Sequence, residues 1–483
     1  MKTLACLIVL LLVPGVAMAA DFAALLNEVR TAPLPPMMNL PADREGYLDD
    51  LETLGRLREL NITREQAGQL YDALAQRMPI AAPARLPEFP GLLAPPAAPV
   101  RYMAEFEPQL GILFRWPFGE AMFLSTYYGL AGALADSEDM LIIVANAQQE
   151  QTVRDQCASQ SISTERMEFA YWPTDTIWTR DYGPIFIGEG EGEPQSESVV
   201  NMSYSRPWRV NDDKIPERVA ALFDDALYAT QLVQDGGNLL TDGRGTCFST
   251  TQLYTNNPTW TETEVAAFYR DYLGCEQLIT PEPLLAEGTG HIDMFVKVVG
   301  PHTVMVGQYP PGNQNYQRLE DAANLIANST ALDGEPYEVV RIPERSKWTR
   351  GILAVFHTYT NGMLVNGKAL VPQYNLAADA EAQAVYQSLF PDREVVMVDS
   401  QQIIYSGGAL HCITMERQDY SAPLDDDVDD DVDDDVVDDD ADDDADDDLD
   451  DDADDDASDD DADDDQVDDD ASGDDDDDSG CGC

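Results

Sequence analysis

Basic residues are scarce in this chain of 483 residues, which contains 28 Lys and Arg against 92 Asp and Glu and has a formal net charge of −64. No basic stripe occurs in it, which excludes a nucleic-acid-binding protein that works by neutralising phosphates. Docking on an anionic lipid surface is disfavoured for the same reason. Beyond the N-terminus, no segment approaches the roughly 18 consecutive apolar residues of a membrane helix, so we expect no membrane span in the mature chain.

Histidine is also rare, with four residues in all, and there are seven cysteines. So few histidines, irregularly spaced, provide little material for a metal site, and we expect no metal and no other cofactor. The alternative is a metal site built from His291, Asp293, His411 and Cys412. Disulfides are possible in an exported chain, but the cysteine count does not require a disulfide framework.

Residues 1–19 have the pattern of a secretory signal peptide. Lys2 supplies the positive start, residues 4–13 are almost all apolar, and Ala17-Met18-Ala19 fits a small-residue cleavage site. A permanent membrane anchor is the alternative, but Pro14-Gly15 interrupts the apolar run and shortens it below a comfortable span. We therefore expect export to the periplasm, the exterior or the surface of a bacterial cell.

Residues 421–483 form a tail that contains 38 of the acidic residues, all of them Asp, and no Lys or Arg. Charge repulsion and the lack of apolar side chains predict that the tail is disordered. It could bind cations loosely, although no segment matches the Gly- and Glu-containing loop of an EF-hand. The tail ends in Gly-Cys-Gly-Cys, and we expect no part for it in catalysis.

Residues 20–99 are predicted to form a separate helical segment followed by a linker. Leucine recurs at near-helical spacing at positions 48, 51, 54, 57 and 60. Thr63 and Gln66 have the spacing of a capping box at the start of a further helix. The prolines at positions 90, 95, 96 and 99 then predict a stiff linker. A propeptide, an interaction arm and a stability cap all fit this segment.

Residues 100–420 have the pattern of an α/β domain. Short apolar, β-rich runs at 111–114, 140–144 and 294–299 alternate with helical stretches such as 262–273 and 378–389. Polar, turn-rich clusters occur between these elements, at positions 116, 181, 235, 291, 361 and 412. The steps between them are 65, 54, 56, 70 and 51 residues, which indicates repeated modules that each deliver one cluster to a shared centre.

Among these clusters, Cys412 is a candidate nucleophile, because Gly407-Gly408 permits a tight backbone path before it. A cysteine nucleophile needs a base to activate it. His411 is a poor partner, since neighbours in an extended chain point to opposite faces. His291 is the better candidate, and Asp293 shares its face on a strand. The other two histidines are interpreted as packing residues: His302 and His357.

Taken singly, each of these residues also has a purely structural explanation. Cys412 could be an inert core cysteine, and His291 with Asp293 could be a capping or surface pair. Asp181 could belong to a salt-bridged turn, and Asp235 could mark a plain turn before two glycines. The order of the motifs favours a functional interpretation.

Four motifs in order carry a family resemblance: Trp-x-Arg-Asp-Tyr-Gly-Pro at 178–184, Asp-Gly-Gly-Asn at 235–238, Gly-His-Ile-Asp at 290–293 and Gly-Gly-x-x-His-Cys-x-Thr at 407–414. Over about residues 100–420 the chain resembles the agmatine deiminase and bacterial (Porphyromonas-type) peptidyl-arginine deiminase family of the pentein superfamily. The resemblance implies a five-bladed, pseudo-symmetric α/β propeller, preceded in this chain by the helical segment and followed by the acidic tail. It also implies guanidine hydrolysis without a metal.

The resemblance implies a role for each matching residue. Cys412 would be the nucleophile, His291 the general acid and base, and Asp235 the residue that holds His291. Asp181 and Asp293 would bind the guanidinium, because its planar fork of N–H donors suits two carboxylates. A thiolate beside a cationic imidazole is expected to have a lowered pKa.

The far end of the substrate distinguishes the possible guanidines, because agmatine ends in an ammonium and a C-terminal arginine ends in a carboxylate. Arg206 and Arg209 could bind that carboxylate, and they resemble the carboxylate-binding arginines of the bacterial peptidyl-arginine deiminases. The alternative is a pair of surface arginines matched with Asp212 or Asp213. Two further residues are expected to contact the substrate: Trp178 and Asn361, although Asn366 follows the latter closely.

Together with export, these arginines favour a peptidyl-arginine deiminase that forms citrulline and ammonia, with an arginine-containing peptide or small guanidine as its substrate. Agmatine, which would give N-carbamoylputrescine, or free arginine is the second substrate choice. An amidinotransferase-like relative stays open, and it would release no ammonia in water alone. A catalytically inactive surface-binding protein is disfavoured, because the nucleophile, base and carboxylates are all present.

Overall fold

The computed structural model describes residues 22–34, 40, 43–78, 94–97, 99–192 and 195–422. The predicted signal peptide, half of the predicted linker and nearly all of the acidic tail lie outside these residues, so the expectations about them stay predictions. Among the helices described, none has both the length and the apolar character needed to span a membrane.

The strands of the described residues are, in chain order, β1 (Val100–Arg101), β2 (Gln109–Arg115), β3 (Met140–Val144), β4 (Met167–Tyr171), β5 (Ile185–Glu189), β6 (Ser196–Ser203), β7 (Ala226–Val233), β8 (Leu240–Thr241), β9 (Thr246–Phe248), β10 (Gln277–Ile279), β11 (Val296–Val298), β12 (Thr303–Gln308), β13 (Glu338–Pro343), β14 (Arg345–Thr349), β15 (Leu353–His357), β16 (Met363–Val365), β17 (Lys368–Gln373), β18 (Glu394–Asp399) and β19 (Met415–Gln418).

The helices of the same residues are α1 (Phe22–Thr31), α2 (Arg44–Thr53), α3 (Arg56–Leu60), α4 (Arg64–Ala75), α5 (Leu124–Leu134), α6 (Ala147–Ser159), α7 (Thr179–Tyr182), α8 (Ile215–Phe223), α9 (Gln252–Asn256), α10 (Glu262–Leu273), α11 (Tyr316–Ala327) and α12 (Ala378–Leu389). Two of them, α10 and α12, match the predicted helical stretches in both bounds.

Five sheets in the described part of the chain share one pattern, in which an antiparallel pair of strands is followed by a parallel strand. The five units are β19-β2-β3, β5-β6-β7, β8-β9-β10, β11-β12-β13 and β16-β17-β18. A helix connects the two parallel strands of each unit, as such a crossover requires, and these helices are α5, α8, α10, α11 and α12. The prediction of five repeated α/β modules is confirmed.

A short polar turn leads into the first strand of each unit. These turns are residues 179–182 before β5, 236–238 before β8, 292–294 before β11, 358–362 before β16 and 411–413 before β19. The 179–182 turn contacts both the 236–238 and the 411–413 turns, and the 236–238 turn contacts the 292–294 turn. The turns meet because each occupies the same place in a repeated unit.

Trp116 does not belong to this set of turns, and its grouping with the polar clusters was wrong. It follows strand β2, is fully buried in the main apolar cluster and donates a hydrogen bond from Nε1 to Oε1 of Gln156 at 2.8 Å. The polar turn of this unit is residues 411–413, which precede β19 near the C-terminal end of the domain. Trp116 instead packs in the core.

The helices α1–α4 pack on the α/β body rather than standing apart from it. The predicted leucines at 48, 51, 54, 57 and 60 are all buried. They do not belong to one helix, because Gly55, with a φ of 69°, separates α2 from α3. The predicted capping box begins α4, where Oγ1 of Thr63 accepts from the Gln66 N–H at 3.1 Å and Oε1 of Gln66 accepts from the Thr63 N–H at 2.9 Å.

The hairpin β14–β15 lies outside the five-unit pattern and meets the helices at its tip. Arg350 and Gly351, with φ angles of 49° and 77°, form its turn. Next to them, Ile352 and Leu353 join the apolar cluster of α1–α4, together with Ala286.

Two of the body cysteines form a disulfide, Cys247 in β9 with Cys275 just before β10. Cys157 in α6 and Cys412 are free and buried.

Candidate active site

The Cys412 thiol lies in the 3₁₀ turn before β19, where Asn361 holds the turn from the neighbouring unit. The Asn361 Nδ2 atom is 3.1 Å from Cys412 Sγ, and its Oδ1 accepts from the N–H groups of Ala409 at 2.8 Å and Cys412 at 3.3 Å. Asn361 is fully buried and does not line the pocket. These bonds make Asn361 a support of the thiol turn, and its expected contact with the substrate stays a prediction.

The two glycines before Cys412 have different functions. Gly407 adopts a φ of 102°, which favours glycine. At Gly408 the constraint is space, because a Cβ there would lie 2.5 Å from Cys412 Sγ and 3.0 Å from the ring of Trp178. The predicted residue Trp178 is therefore a close neighbour of the thiol turn and lines the pocket.

His291 lies between two carboxylates. Its Nε2 is 3.1 Å from Oδ2 of Asp235, and its Nδ1 is 3.4 Å from Oδ1 of Asp181. Burial alone would lower the pKa of His291, but the charges and hydrogen bonds of Asp181 and Asp235 outweigh burial and hold that pKa well above its usual value. The imidazole is therefore cationic at neutral pH and can donate a proton.

Gly237 marks the point on which the key groups converge. A Cβ at this position would lie 2.6 Å from Nδ1 of His291, 2.8 Å from Oδ1 of Asp181 and 3.2 Å from Oδ2 of Asp293. Oδ1 of Asp293 is buried and has no hydrogen-bond partner within the described residues, whereas Oδ1 of Asp181 is buried and has the 3.4 Å contact with Nδ1 of His291. Two buried carboxylates beside one pocket suit a cation with several N–H donors, and Oδ1 of Asp293 is still available to such a cation.

His411 orients Asp293, a contact that sequence reasoning missed. His411 Nδ1 is 2.8 Å from Oδ2 of Asp293, and its Nε2 is 3.4 Å from Oε2 of Glu105. The argument that discounted His411 assumed an extended chain, in which neighbours point apart, but residues 411–413 form a 3₁₀ turn. The bond from His411 helps keep the pKa of Asp293 low, although burial opposes this.

Below His411 lies a buried network of charges. Lys297 Nζ contacts Oε2 of Glu105 at 2.5 Å, and the Nε of Arg180 donates to the His411 carbonyl at 3.3 Å. Arg180 also forms a buried ion pair with Glu416 on β19. Arg180 of the first motif thus supports the Cys412 turn, whereas its neighbour Asp181 lines the pocket.

The expectation of a lowered pKa for Cys412 is wrong for the free protein. Burial raises this pKa well above its usual value, and the negative charges of Asp293 and Asp181 raise it further, against a smaller opposing effect from Asn361. Sγ lies 3.5 Å from Oδ2 of Asp293. The sequence indicated a cationic histidine nearby, but it did not indicate that carboxylates would surround the thiol.

The pocket at this site is lined by residues of opposite charge. Arg206 and Arg209 are only 6% and 5% exposed, so they are not the surface arginines of the alternative, although the charge of Arg209 does act on the buried Asp212 carboxylate and opposes the rise in its pKa. Both line the pocket, together with Asp181, His291, Trp178 and Cys412.

The two arginines differ in their partners. Arg206 forms a buried ion pair with Asp235, the carboxylate that also contacts His291. Arg209 donates from Nη1 to the hydroxyl of Tyr204 at 2.7 Å and forms no ion pair among the described residues.

Glu287 is a further pocket residue that the sequence analysis did not single out. Its Oε2 accepts from the N–H groups of Thr289 at 3.0 Å and Gly290 at 2.6 Å. Burial raises the pKa of Glu287. Its position three residues before the Gly-His-Ile-Asp motif was the one available signal.

The remaining histidines lie away from this pocket. His357 packs edge-on against Tyr374, as expected, and burial lowers its pKa to about 4. His302 pairs with Asp333 at the surface, at 2.6 Å, so its interpretation as a packing residue was wrong. Asn366, which follows Asn361 closely in the sequence, hydrogen-bonds to the backbone of Gln109. Among the described residues, no three or more His, Cys, Asp or Glu side chains are grouped so that they could hold a metal ion.

The repeated units and their central turns define a pentein-type fold, and the turn residues have the chemistry of a guanidine hydrolase. The chain belongs to the Porphyromonas-type peptidyl-arginine deiminase family, which matches residues 101–417. It is thus a hydrolase of the deiminase class, and the family and fold predicted from the sequence are confirmed.

The individual proteins that this chain is similar to share only low sequence identity with it. The agmatine deiminase of Pseudomonas fluorescens Pf-5 is 26% identical over 337 residues, which cover 62% of this chain and 89% of that protein. The agmatine deiminase of Pseudomonas aeruginosa LESB58 is 27% identical over 365 residues, covering 67% and 96%. A solved structure of the agmatine deiminase of Enterococcus faecalis matches the fold with a TM-score of 0.58 at 22% identity, covering 66% of this chain and 96% of that one.

Proposed function

We propose that this deiminase hydrolyses the guanidino group of an arginine with a free carboxylate, as at the C-terminus of a peptide, and forms citrulline and ammonia. The observation that supports this choice is Arg209, a buried cation that lines the pocket and forms no ion pair among the described residues. The buried Asp212 interacts with Arg209 only at a distance, and a buried charge without a direct partner is costly. A substrate carboxylate supplies the missing partner.

The guanidinium enters the pocket lined by Asp181, His291 and Cys412. The carboxylates of Asp181 and Asp293 accept hydrogen bonds from its N–H groups, and Oδ1 of Asp293 has no other partner among the described residues. Because the bound cation offsets the two negative charges that raise the pKa of Cys412, substrate binding itself favours the thiolate.

The Cys412 thiolate then attacks the central guanidino carbon and forms a C–S bond. The imidazolium of His291 donates its proton to the departing nitrogen, which leaves as ammonia. The neutral His291 next takes a proton from a water molecule that attacks the same carbon. The C–S bond breaks and the thiolate is restored, and the added hydroxyl loses its remaining proton to solvent as the ureido group of citrulline is released. Asp235 keeps His291 oriented throughout.

An agmatine deiminase is the second candidate, and Glu287 favours it. A carboxylate in the pocket is a suitable partner for the ammonium of agmatine. The relatives from Pseudomonas that match most of this domain are agmatine deiminases. The two candidates therefore differ in which pocket residue, Arg209 or Glu287, contacts the far end of the substrate.

The test compares ureido product from four substrates: a peptide ending in arginine, the same peptide amidated, free arginine and agmatine. A carboxylate bound by a buried guanidinium contributes about 1.5–3 kcal/mol, so kcat/KM for the free peptide should exceed that for the amide by about tenfold or more. Arg209→Gln should remove this preference, whereas Glu287→Gln, in the same pocket, should retain it.

The second candidate is supported instead if wild-type protein prefers agmatine and Glu287→Gln removes that preference. Cys412→Ser gives the background rate of product formation for every substrate, because a hydroxyl of ordinary pKa cannot replace the thiolate. Product formation by Cys412→Ser within tenfold of wild type would overturn the covalent mechanism.

We further propose that the protein is exported. The signal-like residues 1–19 support export, and so does the disulfide Cys247–Cys275, since disulfides persist mainly in oxidising compartments. Cell fractionation with thiol titration tests this proposal. Protein that stays in the cytoplasm with both cysteines reduced would contradict it.

A further inference from the structure

One side of the pocket is held from outside by helix α2. Oδ2 of Asp50 accepts the Ala286 N–H at 3.0 Å. Ala286 has a φ of 58°, a left-handed conformation that is uncommon for a residue with a side chain and persists only where the surroundings impose it. The next residues, 287–289, line the pocket. Asp50 therefore helps to hold the loop that carries Glu287.

A second wall of the pocket is held by the same helices at the tip of the β14–β15 hairpin. The Tyr47 hydroxyl donates to the Ile352 carbonyl at 2.8 Å, and Nε of Arg56 donates to the Gly351 carbonyl at 2.8 Å. Ile352 is fully buried in the apolar cluster of α1–α4. The strand that follows, β15, lines the pocket with residues 354–356.

Both contacts are made by helices that precede residue 101, where the match to the family begins. The reacting groups, in contrast, are on the central turns of the five units. The contacts described here are therefore made to two walls of the pocket rather than to the cysteine turn.

We propose that helices α2 and α3 are a positioning element of the pocket, in which Tyr47, Asp50 and Arg56 hold the 285–289 loop and strand β15 in the geometry that binds substrate. This inference rests on the proposed deiminase activity, but it holds for any of the guanidine substrates. It predicts an effect on substrate affinity that exceeds the effect on turnover.

The test is Asp50→Ala, with Asp49→Ala as the matched control on the same helix. The side chain of Asp49 is 69% exposed and pairs with Arg64, which has two further acidic partners. Asp50→Ala should raise KM about fivefold or more and change kcat by less than about twofold, because the lost contact shapes the binding wall. Asp50→Asn retains an acceptor oxygen and should restore much of the affinity. Asp49→Ala should leave both constants unchanged.

Tyr47→Phe is the second variant, since it removes one hydroxyl from the hairpin contact and keeps the ring that packs against Tyr71. Hydrogen exchange of peptides covering 284–290 and 350–356 gives a readout without substrate. Faster exchange of the first peptide in Asp50→Ala, and of the second in Tyr47→Phe, is expected.

A purely structural role for the helices predicts a lower melting temperature in both variants, with KM unchanged below that temperature. That result, or unchanged exchange of both peptides, would overturn the inference. If wild-type protein hydrolyses no guanidine while the exchange differences appear, the proposed function fails and the positioning contacts stand.

Discussion

Nδ1 of His411 lies 2.8 Å from Oδ2 of Asp293, and both side chains are 1% exposed. The contact fixes one oxygen of the carboxylate and leaves Oδ1 without a partner in the described residues. His411 therefore acts through Asp293, as a positioning residue.

We predict that His411→Ala lowers kcat/KM by roughly ten- to a hundredfold, because a hydrogen bond to a buried charged group contributes about 1.5–3 kcal/mol. His411→Asn should be less damaging, since the amide N–H can donate in place of Nδ1. Steady-state kinetics of both variants measure this difference. His302→Asn changes a surface histidine and is the control. Equal activity of His411→Ala and wild type would show that the contact does not position Asp293.

The raised pKa of Cys412 predicts slow alkylation of the free protein at neutral pH. The thiolate is the reactive form, so the alkylation rate should still be rising above pH 9. Asp293→Asn removes one of the negative charges that raise this pKa, so its midpoint should move to lower pH. Mass spectrometry of the labelled peptide separates Cys412 from Cys157. A midpoint that stays in place in Asp293→Asn would contradict the assigned cause.

Gly237→Ala is predicted to lower kcat/KM by at least about a hundredfold, because its Cβ would occupy the space between His291, Asp181 and Asp293. Thermal unfolding measured beside the kinetics distinguishes a blocked site from a damaged fold. Gly132→Ala in helix α5 is the control, since its Cβ meets only Ile162 at 3.8 Å and alanine favours helix by about 0.5–1 kcal/mol. Full activity of Gly237→Ala would show that His291, Asp181 and Asp293 can move apart without loss of function.

Arg206 and Arg209 should behave differently on substitution. Arg206→Ala leaves the buried carboxylate of Asp235 without its ion pair, and breaking a buried pair costs about 3–5 kcal/mol. Because Asp235 also contacts His291, we predict a lower kcat for every substrate and a lower melting temperature. Arg209→Gln should instead change the ratio of kcat/KM for peptide over agmatine. An Arg206→Ala protein that loses activity on the peptide alone would mean that Arg206 binds substrate directly.

Several residues of the site could be predicted because each belongs to a local pattern. His291 follows Gly290, Asp235 precedes two glycines and Cys412 follows two more, and such turns are visible in the sequence alone. Their regular spacing predicted that they converge, and the five repeated units explain why they do. The helices of the body were predictable for the same local reason, as α10 and α12 illustrate.

Contacts between distant residues could not be predicted in this way. The His411–Asp293 bond joins residues 118 apart in sequence and depends on a 3₁₀ turn where an extended chain was expected. Asn361 has the polarity expected of a substrate contact, yet its amide is used to hold the Cys412 turn.

The sequence by itself determined the repeated α/β pattern, the acidic excess and the set of reactive residue types, since these follow from composition, periodicity and short motifs. Only the tertiary structure decided how those residues are charged and paired. It buries the Cys412 thiol among carboxylates, it places Arg206 on Asp235 while Arg209 has no ion pair in the described residues, and it packs α2 against the pocket wall. The reason is physical: burial and charge depend on distances between chain segments that the order of residues does not specify.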